Sequence, residues 1–407
     1  MNRAIDNLQK GIFAVLLYVT GFGVILSDLA LGDQNRTPVY AAFDLLIISL
    51  ALTSFSFIRS GLAYILLFAI LCIAVNLSYS EATLFASLNG LREIFTVFAI
   101  IIFYNKVFSE GNEELAESCI EIFKTFGFIF ILCQPPVAFA QYFIHGPTDF
   151  VGGTYGNYGS GSLTFSIIFI VYFLHHFKRS LFKTILLYAC LIPLFLNETK
   201  ISFILIPMMV LFIRFQPKLK NLIVAIIAAG IFLLIANKYY SNAGSTGNED
   251  NISTIFSADY LNDYLMADIY TYPDIPRFTK IILSWRIISE QTNTFLFGLE
   301  YGLFKGSNVV GVSRLAERYQ WLLSGTRPYL YFLLMQGGTM LLASFLLLIG
   351  YVNKKFRQPN KFKLFLLIMF FLILVYNDLL RNQSSIAIYF FIVFYANSTF
   401  YSEKELT

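Results

Sequence analysis

Charged residues are scarce in this sequence. Asp, Glu, Lys and Arg make up 13% of its 407 residues, whereas soluble domains carry roughly 25%. Hydrophobic residues make up 57%, and the mean hydropathy is +0.67. This composition excludes an ordinary soluble domain and predicts a protein embedded in a lipid bilayer.

Cysteine and histidine are scarce as well, with four and three copies in the chain. The histidines, His145, His175 and His176, are too few and too scattered for a zinc site. The cysteines lie within apolar segments or on the predicted cytoplasmic side, at Cys72, Cys119, Cys133 and Cys190. None falls in the predicted outer loop, so we expect no disulfide framework. We also expect no metal and no cofactor.

Long apolar segments dominate the rest of the chain. A segment of roughly 17 to 25 apolar residues can cross the hydrocarbon core as a helix, and an unpaired backbone group in lipid costs several kcal/mol. We therefore predict an all-α polytopic membrane protein with about 12 transmembrane helices. Their centres fall near Leu17, Ile47, Ala69, Ile100, Phe130, Ile168, Tyr188, Met208, Ala228, Leu341, Phe371 and Phe390.

One long polar stretch, residues 238–327, interrupts the apolar segments. It divides the chain into about nine spans in residues 1–237, a large loop, and about three spans in residues 328–407. The loop carries acids and bases in near balance, which favours a folded, salt-bridged unit over a charged tail.

The spacing of apolar residues in this loop predicts amphipathic helices at 258–270, 277–291 and 313–323. In the second helix, Arg277 and Arg286 flank an apolar stripe on opposite sides. The stripe consists of Phe278, Ile281, Ile282, Trp285 and Ile288. Such a helix is expected to lie on the membrane or to cap the helical bundle.

The orientation follows from Lys and Arg in the short connections, because cytoplasmic connections carry an excess of both. One set of helix ends is rich in them, and the alternate set carries only Arg36, Arg92, Lys200 and Arg381. Both termini are therefore predicted in the cytoplasm and the large loop outside. Contact of the cationic rims with anionic lipid headgroups accounts for the net charge of +4. A nucleic acid partner is not expected.

Polar groups near the external helix ends are costly unless they pair or bind a ligand, so they are candidate functional residues. Arg92, at the mouth of the fourth predicted span, either meets a substrate headgroup or pairs internally as an anchor. Glu198 and Lys200 lie in a short hairpin between spans. They either neutralise each other or contact a headgroup.

The glycine-rich turn at 151–161 is a further candidate. Glycines permit positive φ angles and close backbone approach, so amides near Gly153 could face a phosphate or a sugar. Tyr155 and Tyr158 would suit sugar stacking. The alternative is that the turn only connects two spans.

Several segments follow one another in a characteristic order. An Arg-headed helix at 276–286 is followed by a polar run at 291–294, the segment Leu-Phe-Gly-Leu-Glu-Tyr-Gly at 296–302, and a helix at 325–338 that ends in a Gly pair. With the plan of spans and one large outer loop, this order resembles the superfamily of O-antigen polymerases (Wzy) and O-antigen ligases of bacterial polysaccharide assembly. Residues 152–161 and 197–202 occupy the places of the family's earlier external motifs.

The resemblance implies a glycosyltransferase of the GT-C-like, multi-span type in the bacterial inner (cytoplasmic) membrane. Its substrate would be an undecaprenyl-pyrophosphate-linked oligosaccharide in the membrane lipid, and its partners a chain-length regulator and a flippase. The reaction needs cations for the pyrophosphate leaving group and a base for the acceptor hydroxyl. The expected catalytic residues are Arg277, Arg286, Arg327 and Glu198. The expected substrate-binding residues are Arg92, Lys200, Gly153, Tyr155, Tyr158 and Glu300.

The choice between polymerase and ligase depends on Arg327. Ligases of this superfamily resemble one another in a histidine just ahead of the span that follows the large loop, and this sequence has Arg327 there. That difference favours a polymerase, which transfers the growing glycan to an incoming lipid-linked repeat unit. A ligase or related transferase is the first alternative, and a lipid-linked oligosaccharide flippase is the second. A flippase is expected to line a central cavity with charges inside the spans.

Overall fold

The structure is a computed structural model that describes most of the chain. The described residues are 2–32, 36–58, 60–146, 151–156, 159–177, 181–197, 201–214, 275–304, 313–323, 327–354, 361–376, 379–381 and 383–398. The predicted span near Ala228, the predicted loop helix at 258–270, and the candidate residues Tyr158, Glu198 and Lys200 lie outside them. Regular structure among the described residues is helical throughout.

The α-helices, numbered along the chain, are α1 (Asn2–Leu31), α2 (Thr37–Ser54), α3 (Ser60–Tyr79), α4 (Leu84–Val107), α5 (Glu113–His145), α6 (Ser160–His175), α7 (Leu181–Ala189), α8 (Pro193–Leu196), α9 (Ser202–Arg214), α10 (Arg277–Ile288), α11 (Thr292–Phe297), α12 (Arg314–Arg318), α13 (Gln320–Leu323), α14 (Tyr329–Lys354), α15 (Lys361–Tyr376) and α16 (Gln383–Ala396). Short 3-10 helices cover Phe55–Phe57, Gly153–Tyr155 and Leu379–Arg381.

Five helices in the described part of the chain are long and apolar enough to cross a membrane. They are Arg3–Ala30, Thr37–Phe57, Ser60–Tyr79, Leu84–Val107 and Tyr329–Asn353. Shorter apolar helices occupy Ser160–His175, Phe182–Leu196, Ile204–Ile213 and Ser385–Ala396. The prediction of an all-α membrane protein is therefore confirmed, while the total of about 12 spans stays a prediction.

Antiparallel packing gives the helical assembly two ends. Near the N-termini of α2 and α4, Asp44 and Arg92 form an ion pair. At the C-terminus of α3, the Tyr79 hydroxyl donates to the Gly298 carbonyl oxygen at 2.7 Å. We call this the loop end of the assembly, because residues of the outer loop pack on it.

The opposite end is closed by a buried polar network. Lys106 Nζ, in the last turn of α4, donates to Asp6 Oδ1 at 2.8 Å and to Gln9 Oε1 at 2.6 Å. Gln9 Nε2 in turn donates to the hydroxyls of Thr53 and Ser54. Lys106 is only 3% exposed, so its charge needs these partners. The network joins α1, α2 and α4.

Glycines allow the outer loop to lie directly on the helices. A methyl group at Gly298 would overlap the backbone of Gln336, and one at Gly302 would overlap the backbone of Ala86. Gly298 and Gly302 also have φ angles of +79° and +94°, which other residues rarely adopt. We call Gly90, Gly298, Gly302 and Gly338 the glycine contact, because Gly90 faces Gly302 and Gly338 faces Gly298.

Hydrogen bonds reinforce the glycine contact where α14 is broken. Gly338 has φ 65° and ψ −164°, a conformation that interrupts the helical hydrogen-bond ladder. The carbonyl oxygen of Met335 accepts the Leu299 amide at 2.8 Å, and that of Gln336 accepts Asn76 Nδ2 at 3.2 Å. The loop and α3 therefore satisfy carbonyls at the break, as buried backbone groups require.

The glycine contact makes a testable prediction. Gly298→Ala adds a side chain at a positive φ angle and against the backbone of α14, so we expect it to lower the free energy of unfolding by about 1 to 3 kcal/mol. Gly350→Ala is the matched control, because nothing lies within 4 Å of a methyl group there. Thermal unfolding in detergent micelles measures both. Equal melting temperatures for the two variants would contradict the glycine contact.

Candidate functional site

The outer loop has a hydrophobic core of its own, which it shares with the start of α14. Ile288, Leu303, Leu322, Tyr331 and Met335 are each at most 1% exposed and belong to one buried cluster. This core places α10 to α13 on the N-terminal part of α14. The charged residues of the loop are thereby held at the loop end of the assembly.

Helix α10 buries a face that combines two polar residues with one residue of the predicted apolar stripe. It begins at Arg277 as expected, but Lys280, Ser284 and Ile288 are its buried residues, while Trp285 is 47% exposed. The reason is that α10 packs against α14 and α15, which selects the face that carries Lys280. Ile282 and Trp285 of the stripe lie on the exposed side of α10, and contact of that side with the membrane stays a prediction.

Arg277 and Arg286 occupy different surroundings. The Arg277 guanidinium carbon lies 4.3 Å from the centre of the Tyr376 ring, at the end of α15, a cation–π contact. Arg286 lies in the last turn of α10 and is exposed. Lys280, which the sequence analysis did not select, is fully buried one turn after Arg277. The spacing of Arg277, Lys280 and Ser284 on one helical face was the available signal.

Arg327 lines a cavity in the loop, just ahead of α14. The cavity has a volume of about 410 Å³ and is lined by Leu303, Phe304, Ala316, Glu317, Gln320, Leu323 and Arg327. The Arg327 guanidinium carbon lies 5.4 Å from the centre of the Phe304 ring. A predicted catalytic cation thus borders a space of the size that small ligands occupy.

Glu300 is turned inward. It is 0% exposed, and its carboxylate accepts a hydrogen bond from the Ser313 hydroxyl. Burial raises the pKa of Glu300, while Ser313 and the backbone N–H groups of Glu81 and Ala82 lower it. The carboxylate joins the loop to the connection between α3 and α4, and the substrate-binding role of Glu300 stays a prediction.

Arg92 forms the internal pair that the sequence left as an alternative. Its Nε atom lies 2.5 Å from Asp44 Oδ2, and the two side chains are 35% and 21% exposed. The partner comes from α2 and is distant in sequence. The geometry favours an anchor between α2 and α4.

The glycine-rich turn is packed against α1, α5 and α6. The Gly153 amide donates to Gln141 Oε1 at 2.7 Å, and the Thr154 amide donates to Gln134 Oε1 at 3.0 Å. Tyr155 is 3% exposed, and its hydroxyl donates to Ser166 Oγ at 3.1 Å. These donors are engaged inside the protein because both glutamines of α5 reach the turn. The arrangement favours a connecting turn over a substrate site at Gly153 and Tyr155.

The structure therefore brings some of the predicted site residues to the loop and separates others. Arg277, Arg286 and Arg327 lie on the loop, with Lys280 as a buried addition. Arg92 lies on α4 and is held by α2. Among the described residues, no group of three His, Cys, Asp or Glu side chains is placed to hold a metal ion.

The pair of Asp44 and Arg92 can be tested by a double-mutant cycle. Asp44→Asn and Arg92→Gln should each lower the free energy of unfolding by about 1 to 3 kcal/mol, because each leaves a partly buried charge without its partner. The double variant should lose less than the sum of the two single losses. Thermal unfolding in detergent micelles provides the measurement. Strict additivity would show that the two residues are not coupled.

Comparison with known proteins leaves the chemistry to be inferred from the residues themselves. No family model matches this chain, and no curated protein matches its sequence.

Proposed function

We propose that this chain is a polysaccharide polymerase of the bacterial cytoplasmic membrane. It transfers the growing glycan from undecaprenyl pyrophosphate to the sugar of an incoming lipid-linked repeat unit. One observation carries the proposal. The loop segment that resembles the polymerase superfamily, residues 296–302, packs on the helices through the glycine contact, and Arg277 and Arg327 lie on either side of it in the chain.

The position of the cations suits a lipid-linked substrate. A pyrophosphate attached to a membrane lipid lies at the boundary between hydrocarbon and water. Arg277 sits over Tyr376 at the end of α15, and Arg327 lies just before α14 begins. Guanidinium groups bind phosphate oxygens through paired hydrogen bonds, which supports the proposal that both arginines hold the pyrophosphate.

Charge stabilisation is the main chemical requirement of this reaction. The acceptor hydroxyl oxygen attacks the anomeric carbon, the bond from that carbon to the pyrophosphate oxygen breaks, and pyrophosphate leaves with additional negative charge. Fixed cations stabilise that charge. Because pyrophosphate is a good leaving group, positioning of the acceptor provides much of the remaining acceleration. The hydroxyl proton passes to a base or to water, and Glu198 is our candidate base.

In the cell, this reaction requires substrate on the outer face of the membrane. A flippase would deliver the lipid-linked repeat units, and a chain-length regulator would limit the number of transfers. Polymerisation outside the cytoplasm is consistent with the prediction that the loop lies on that side.

A deletion strain of the source organism tests the proposed function. We expect long surface polysaccharide to disappear on a gel while single repeat units still reach the surface. Extraction of lipid-linked intermediates distinguishes the alternatives. Long lipid-linked chains that accumulate unattached would indicate a ligase, and repeat units retained on the cytoplasmic face would indicate a flippase.

Substitution of the loop cations tests the assignment of the pyrophosphate site. Arg277→Ala, Arg286→Ala and Arg327→Ala should each shorten or abolish the polymer, with a loss of about 10²-fold or more in rate where a charge-stabilising donor is removed. Arg318→Ala is the control, because Arg318 lies on α12 over the Tyr319 ring and does not line the cavity. Membrane abundance of each variant is measured alongside. Normal polymer in all three variants would refute the assignment.

A further inference from the structure

The cavity beside Arg327 has an apolar floor and a polar rim. Leu303, Ala316 and Leu323 are buried on its floor. Glu317 and Gln320 are exposed and stand on neighbouring turns of α12 and α13. The floor belongs to the loop's own hydrophobic core, so its shape is set by packing that does not depend on a ligand.

The rim brings together a carboxylate, an amide and a guanidinium. Glu317 accepts hydrogen bonds, Arg327 donates them, and the Gln320 amide does both. Such a mixed set matches the hydroxyl groups of a sugar, each of which can donate and accept. The floor matches the apolar face of a sugar ring. A volume of about 410 Å³ lies within the range of small-ligand sites.

We propose that this cavity is a saccharide subsite, which holds a sugar residue of the glycan during transfer. The inference rests on the proposed function and adds to it a binding site separate from the pyrophosphate group. In this arrangement Glu317 and Gln320 hydrogen-bond to hydroxyl groups of the sugar. Arg327 contacts the sugar and also the negative charge that develops on the pyrophosphate leaving group.

Other ligands fit the lining less well. A free phosphate inside the cavity would face the negative charge of Glu317 as well as the positive charge of Arg327, so the lining does not select for an anion. A polyprenyl chain would use the floor but would bury the carboxylate of Glu317 and the amide of Gln320 in apolar surroundings, which costs free energy. A sugar uses the floor and the rim together.

A tryptophan next to the rim provides a direct binding measurement. The chain has two tryptophans, and Trp321 follows Gln320 in α13 and is 38% exposed. In the full-length Trp285→Phe variant, Trp321 is the only source of tryptophan fluorescence. The probe is the lipid-free repeat-unit oligosaccharide, released by mild acid from the lipid-linked intermediates of the source organism.

We expect the oligosaccharide to change Trp321 fluorescence in a saturable manner. Glu317→Gln and Gln320→Ala, each made in the Trp285→Phe background, should raise the Kd at least about tenfold, the change expected when a polar contact is lost. Glu290→Gln is the matched control, because Glu290 is an exposed acid of the same loop that does not line the cavity. Its Kd should equal that of the parent. Thermal unfolding checks that every variant is folded.

Three outcomes would overturn the subsite. The first is that the oligosaccharide gives no saturable change in Trp321 fluorescence. The second is that the Kd is unchanged in both rim variants. The third is that inorganic pyrophosphate changes the fluorescence and the oligosaccharide does not.

The deletion strain separates this inference from the proposed function. Polymer lost on deletion together with an unchanged Kd in the rim variants would remove the subsite and leave the polymerase. Normal polymer on deletion together with the expected Kd changes would keep a sugar site and remove the polymerase.

Discussion

Backbone contact at glycine is the constraint on which the loop end depends. Gly298 and Gly338 approach so closely that neither position has room for a methyl group. The same approach lets Leu299 satisfy the Met335 carbonyl oxygen where α14 is broken. The break in α14 and the docking of the loop therefore support each other, since the helix would otherwise bury an unpaired carbonyl. The loop thus lies on the helices as part of the fold.

The bilayer imposes a second constraint, which is visible in the charges near the helices. A charge that is partly removed from water needs a partner. At one end Arg92 pairs with Asp44, and at the other Lys106 pairs with Asp6. Both pairs join helices that are distant in sequence, so they fix helix neighbours as well as neutralise charge. The loop cations have other surroundings, since Arg277 and Arg327 lie over the aromatic rings of Tyr376 and Phe304.

Composition and periodicity were sufficient to predict the all-α membrane class and the start of α10 at Arg277. They could not predict which face of α10 is buried, because α14 and α15 decide that, and Lys280 was missed for this reason. The substrate-binding roles predicted for Gly153 and Tyr155 also depend on neighbours that the sequence does not reveal. Their donors are engaged by Gln141 and Ser166, and a sequence pattern does not show which side chains will reach a turn. Composition predicts the class of a membrane protein more reliably than it predicts which polar groups remain open.

The separation of the loop cations along the chain has a mechanistic consequence. Arg277 belongs to α10, whereas Arg327 precedes α14, and the segment that packs through Gly298 and Gly302 lies between them. Under the proposed function both cations act on one pyrophosphate, which requires the segment between them to stay docked. Preorganised charge accelerates a reaction because it costs no rearrangement at the moment of bond breaking. The glycine contact would therefore serve catalysis as well as stability, since it keeps both cations on the same end of the helical assembly.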